Sequence, residues 1–160
     1  MYSIELFNEA SGGHVESVTG GWTATGLKFN YDLYAEAPSI TFNNPNNFTF
    51  KSGPTGGRGG YVRTNNKIHI PKDMVLHVNN TYTYSDYQTL TMFVCKTPLT
   101  GVYSGNSGII AQVEIYDTSV AKEYSIPLSP GDYYVCFYIT RGASATSGDN
   151  YIVADHLWID

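Results

Sequence analysis

Apolar and polar residues alternate with a period of two through much of this chain, which is the pattern of half-buried β-strands rather than of helices. Residues 133–140 are the clearest case: Tyr133, Val135, Phe137 and Ile139 fall on one face, and Tyr134, Cys136, Tyr138 and Thr140 on the other. Ser129-Pro130-Gly131-Asp132 precedes that strand as a turn, with Pro presetting φ and Gly taking the positive-φ place. Residues 90–96 alternate likewise, Leu90, Met92 and Val94 against Thr91, Phe93 and Cys95. Further strands are predicted over 109–116, 123–128, 151–159, 67–70 and 74–78, and less regular ones over 2–6, 22–31, 39–42 and 48–51.

Gly, Pro and Asn turns separate these strands, with no helical period between them, so the expected architecture is all-β: an antiparallel β-sandwich or jelly roll. A length of 160 residues suits one domain over 1–160. Two glycine-rich breaks, 52–60 and 142–149, are expected as exposed tips on the sandwich rim. The run Asn43-Asn44-Pro45-Asn46-Asn47 is expected as a turn. Trp22, in VTGGWTATG, is read as a peg of the core, its glycines giving the ring room where strands approach.

Composition sharpens this picture at a few points. Fourteen acidic residues against nine basic ones give a net charge of −5, and no two Lys or Arg are adjacent, so nucleic acid is excluded as the expected partner. No stretch has the length of apolar sequence that a membrane span needs, and MYSIELFNEASGG lacks the basic and apolar regions of a secretory signal. Cys95 and Cys136 lie inside strand-like runs, far from any CxxC spacing. Buried free thiols and a cross-strand disulfide are both open readings, and no histidine is placed by sequence to activate either thiol.

No catalytic motif surrounds any nucleophile or acid. Asp117, Asp132, Asp149 and Asp155 are scattered carboxylates from which a glycosidase pair would have to be assembled. The histidines His14, His69, His77 and His156 read as solvent-facing or hydrogen-bonded residues. Glu5 and Asp155 are weak metal candidates: pairing of the first and last strands would converge oxygen ligands suited to a structural calcium ion. Aromatics carry more information. Flat rings cover the apolar face of a sugar while amides and carboxylates hold its hydroxyls, and residues 79–87 place Tyr82, Tyr84 and Tyr87 among Asn, Thr, Ser and Asp, where ordinary cross-strand packing and a ligand or partner surface are both open readings. If this segment is a strand, Tyr82 and Tyr84 share a face; Tyr103 and Tyr34 are further candidates of the same kind.

Leu6-Phe7-Asn8 followed by Ser17-Val18-Thr19-Gly20-Gly21-Trp22 resembles the opening of tail-associated virion proteins from phages and prophages of Gram-positive hosts. Residues 62–70, VRTNNKIHI, are similar to a second stretch of that family, and the closing GDYYVCFYI and ADHLWID resemble the end of galactose-binding-like jelly rolls. His69 and His156 depart from the acidic residue and the Asn usual at their places, which weakens a carried-over calcium or sugar site. The resemblance gives Gly20, Gly21, Trp22 and Asp155 a structural role and implies a non-catalytic module on a tail, fibre or baseplate. Its expected partners are host cell-surface glycan and other virion or tail chains, with a homo-oligomer, such as a trimer, as the assembly. A purely structural decoration or oligomerisation domain is the alternative, and a polysaccharide-degrading enzyme the third.

Overall fold

The structure, a computed structural model, describes residues 2–26, 37–52, 59–84, 88–99, 108–116, 120–141 and 150–160. The described residues form two antiparallel sheets packed face to face. The first contains β1 (Ile4–Asn8), β2 (Gly13–His14), β4 (Ser39–Asn43), β5 (Asn47–Lys51), β8 (Met74–Tyr84), β11 (Lys122–Leu128) and β13 (Tyr151–Ile159). The second contains β3 (Trp22–Gly26), β6 (Gly60–Thr64), β7 (Ile68–Ile70), β9 (Gln88–Cys95), β10 (Ala111–Ile115) and β12 (Gly131–Arg141). Successive strands cross between the layers: β5 to β6, β8 to β9, β10 to β11 and β12 to β13. The spatial orders β11-β8-β13-β5 and β10-β9-β12-β6 that result are those of a jelly roll.

The alternation expected from sequence is what closes the core. Leu76, Val78, Ile126, Phe50 and Ile152 of the first sheet meet Val62, Leu90, Met92, Val135 and Phe137 of the second, all buried in one cluster. Trp22 is the expected peg, tilted against Phe137 and Phe42 at ring-centroid distances of 6.1 and 6.4 Å. Its glycines act otherwise than expected. Gly20 and Gly21 have φ of 64° and 89°, and a Cβ on Gly20 would lie 2.6 Å from Asn66 Nδ2. The reason is a clasp between the two motifs of the phage-protein resemblance. Asn65 donates its backbone N–H to Gly21 O at 2.9 Å and its amide to Gly20 O at 2.8 Å, while Asn66 N–H donates to Thr19 O at 2.9 Å.

Three features were missing from the sequence reading. Strand β6 begins at Gly60, where an exposed tip was expected; Ser52 and Gly60 at the ends of that segment are buried, and residues 53–58 lie outside the described residues, as do 142–149. Ser52 N–H donates to Asn150 O at 2.8 Å, so backbone pairing continues past the strand end. A short helix, α1 (Glu16–Thr19), and a 3-10 turn (Glu9–Ser11) interrupt the otherwise all-β chain. Strand β8 runs on to Tyr84, well past the predicted end at residue 78.

The outer face of the second sheet carries its own buried cluster of Tyr61, Phe93, Cys95, Cys136 and Tyr138, against which Leu99, Ile109 and Tyr134 pack. Tyr61 donates its hydroxyl to Leu99 O at 2.9 Å. Cys95 and Cys136 are free buried thiols on neighbouring strands, Sγ to Sγ 3.6 Å, and burial pushes the Cys136 thiol up.

Candidate functional site

The outer face of the first sheet is different: it stays open along the seam between β8 and β13. Strict alternation would put Ile152 and Ala154 on one face of β13 and Leu157 and Ile159 on the other. All four are buried, because the register shifts around Asp155, so that Ala154 pairs Asn80 and His156 pairs Asn79. A second shift in β8 leaves Thr81 between Asn80 and Tyr82, the partner of Val153. Two bulges thus restore the inward set after slipping it, which is how a bulge re-aims side chains next to a site. Buried Asn80 holds this irregular stretch together: its amide nitrogen donates to Tyr82 O and Val153 O, each at 2.9 Å, and its oxygen accepts from the Thr83 hydroxyl. Thr81 adds a hydroxyl donated to Val153 O at 2.9 Å.

The outward set is aromatic at both ends of the seam. At one end Tyr151 lies against Tyr82 and Tyr84, with centroids 5.8 and 6.0 Å apart, and Tyr82 and Tyr84 are 39% and 41% exposed. At the other, Trp158 is stacked by His77 from β8 at 4.7 Å and by His156 of its own strand at 3.7 Å. Between them Asn79 donates to Asp155 Oδ1 at 2.7 Å. Carboxylates hold the imidazoles in place: His77 Nδ1 meets Glu123 at 2.6 Å, His77 Nε2 meets Asp160 at 2.8 Å, and His156 Nε2 meets Glu5 at 2.7 Å. The His77 hydrogen bond, with the Trp158 indole N–H adding to it, keeps the exposed Asp160 carboxyl below its ordinary value of 3.8.

Beside Trp158 the face deepens into an open cleft of about 630 Å³ lined by Asn8, Glu9, Pro45, Asn79, Asp155 and His156. The 3-10 turn forms one wall. Asn8 caps it, accepting from Ala10 N–H at 2.8 Å, and Gly12 ends it at φ 86°. The tight turn after β4 supplies Pro45 opposite.

Of the residues singled out by sequence, Tyr82 and Tyr84 share the exposed face, whereas Tyr34, Tyr87 and Tyr103 lie outside the described residues. The first and last strands pair as expected, yet Glu5 stands opposite Trp158 and bonds His156, while Asp155 bonds Asn79. Among the described residues no group of three or more His, Cys, Asp or Glu side chains gathers as a metal site. Asp132 and Asp155 belong to different sheets, and Asp117 and Asp149 lie outside the described residues. His69 is exposed and bonds Asp132 at 2.7 Å, and His14 is stacked on Phe42 at 4.1 Å, with burial pulling its pKa down. The sequence reading passed over Tyr151, Asn79, His77, His156 and Trp158 as a group. The signal was the pair of short apolar alternations in YIVADHLWI, out of phase by one residue at Asp155.

No protein-family model matches the chain, nor does any curated protein. Solved structures match its fold. The K3 cleaved adhesin domain of Lys-gingipain from Porphyromonas gingivalis W83 superposes with a TM-score of 0.51 over 99% of both chains, at 11% identity. The glycoside hydrolase domain of Endo-D from Streptococcus pneumoniae R6 gives a TM-score of 0.51 at 17% identity, covering 87% of this chain and 21% of that one. The chain therefore spans about a fifth of that protein's length. A β-1,3-glucan binding CBM6 from Bacillus halodurans gives a TM-score of 0.44 at 12% identity, covering 83% of this chain and 96% of that one. At identities this low the two superpositions at 0.51 speak to a shared fold and not to ligands.

Proposed function

We propose that this protein is a non-catalytic glycan-binding module whose site is the outer seam of β8 and β13. One observation carries the reading: the exposed rings of Tyr82 and Tyr84 beside Tyr151 share a face with the cleft of Asn79, Asp155, His156 and Trp158. Rings offer flat apolar surface to the faces of sugars, and the amide and carboxylates between them take hydroxyls. The seam from Tyr84 to His77 is roughly 20 Å long at the rise of a β-strand, enough for several consecutive sugar rings. The sequence resemblance to tail-associated virion proteins supports placing the module on a phage tail, fibre or baseplate, where it would meet host-surface glycan. Single sites near millimolar affinity, about 4 kcal/mol each, become effective there through repetition in a homo-oligomer. A glycan array with wild type, Tyr82→Ala, Tyr84→Ala and Trp158→Ala tests this. Each variant should fold and lose signal on the glycans that wild type retains; unchanged binding in all three removes the site from this face.

A second reading, a structural decoration or oligomerisation domain, is favoured by the edge strand β10. Ile110 and Tyr116, which flank it, are 55% and 61% exposed beside a strand edge that is unpaired among the described residues, a surface suited to another chain. It predicts a concentration-dependent oligomer in sedimentation that Ile110→Lys dissolves, with no glycan signal.

A further inference from the structure

The cleft beside Trp158 is set apart by the carboxylate oxygens it leaves open. Each of its side-chain donor groups already has one carboxylate partner. Asn8 Nδ2 donates to Glu5 at 3.4 Å, Asn79 Nδ2 to Asp155 at 2.7 Å, His156 Nε2 faces Glu5 at 2.7 Å, and Trp158 Nε1 donates to Asp160 at 3.2 Å. Acceptors remain. Among the described residues the Glu9 side chain projects from the 3-10 turn without a side-chain partner, and Asp155 uses only Oδ1, for Asn79. An ionised carboxylate can only accept, so a ligand group that meets Glu9 or the free Asp155 oxygen must bring a donor. Among the described residues no Lys or Arg lines the cleft. Lys51, beside Tyr151 in register at the far end of the seam, is engaged in another contact.

We infer that the cleft selects uncharged, hydroxyl-rich glycan segments and rejects sugars bearing carboxylate, sulfate or phosphate. This rests on the glycan reading above and adds the chemical class of ligand to it. Sugar hydroxyls donate to Glu9 and to the free Asp155 oxygen, replacing the water those groups lose on binding. An anionic substituent at the same place would bring acceptors to acceptors and like charge to like charge, the arrangement by which interfaces exclude wrong partners.

Matched ligand pairs test it: a galactose-terminated oligosaccharide with its sialylated form, and a neutral glucan with its carboxymethylated form, titrated at fixed salt with a chelator present. The neutral member should bind at least roughly ten-fold more tightly. In the double variant Glu9→Gln, Asp155→Asn, which keeps side-chain shape, that gap should fall to about three-fold or less. Equal or tighter binding of the acidic member overturns the inference while leaving glycan binding intact, and so does an undiminished gap in the variant. Absence of binding to every member overturns the glycan reading and this inference together.

Discussion

The two outer faces of the sandwich are built from similar residues and meet opposite fates. On the second sheet Tyr61, Phe93 and Tyr138 lie under Leu99, Ile109 and Tyr134, with Phe93 edge-on to Tyr138 at 5.2 Å. On the first sheet Tyr82 and Tyr84 remain exposed and Trp158 is stacked against two imidazoles. Tyrosine content therefore does not locate a binding face; what matters is whether later chain folds back over the strand. One face is a second small core, and the other is left open.

The largest expected effect comes from attacking the covered face. Phe93→Ala should cost about 3–5 kcal/mol in a urea melt, because it empties a fully buried site between Tyr61 and Tyr138. A loss under 1 kcal/mol would mean that the cover is loose and the two faces are alike. Next is the bulge that sets up the open face: Asn80→Ala should cost about 1–3 kcal/mol, since Tyr82 O, Val153 O and the Thr83 hydroxyl all lose a partner. It should also weaken whatever ligand the tyrosines hold, although Asn80 itself is buried. Tyr84→Ala should change stability by no more than about 0.5 kcal/mol, as expected for an exposed side chain. The smallest effect is acid-dependent. The folded chain depresses the Asp160 pKa, so the stabilisation from its contact with His77 is present above 3.8 and disappears as pH falls through the lower folded value. The stability gap between wild type and Asp160→Asn should accordingly close as pH drops below 3.8; a gap that widens there contradicts the contact.

Alternation made the sandwich legible, because a period of two in residues 133–140 or 90–96 has few other physical outcomes. It also placed Tyr82 and Tyr84 on a common face. The rest of the seam was hidden by the slip at Asp155, which puts His156 and Trp158 out of phase with the alternation of Tyr151, Val153 and Asp155. Strand β6 was obscured for another reason: its Gly59-Gly60 start reads as loop, yet both residues are buried and Gly60 pairs with Ile139 and Gly26. Whether a tyrosine is roofed over depends on distant segments such as Leu99 over Tyr61, which no local pattern encodes.

The interlocking of Gly20 and Gly21 with Asn65 and Asn66 separates inheritance of shape from inheritance of appetite. Those residues fasten a loop of one strand to a corner of another, on a part of the molecule distinct from the β8–β13 seam. Proteins that carry the same pair of signatures would be bound to keep this scaffold, yet free to repaint the surface that touches the outside world. A diverging lineage could then change what that surface meets by altering a handful of rings and carboxylates, without disturbing the knot beneath.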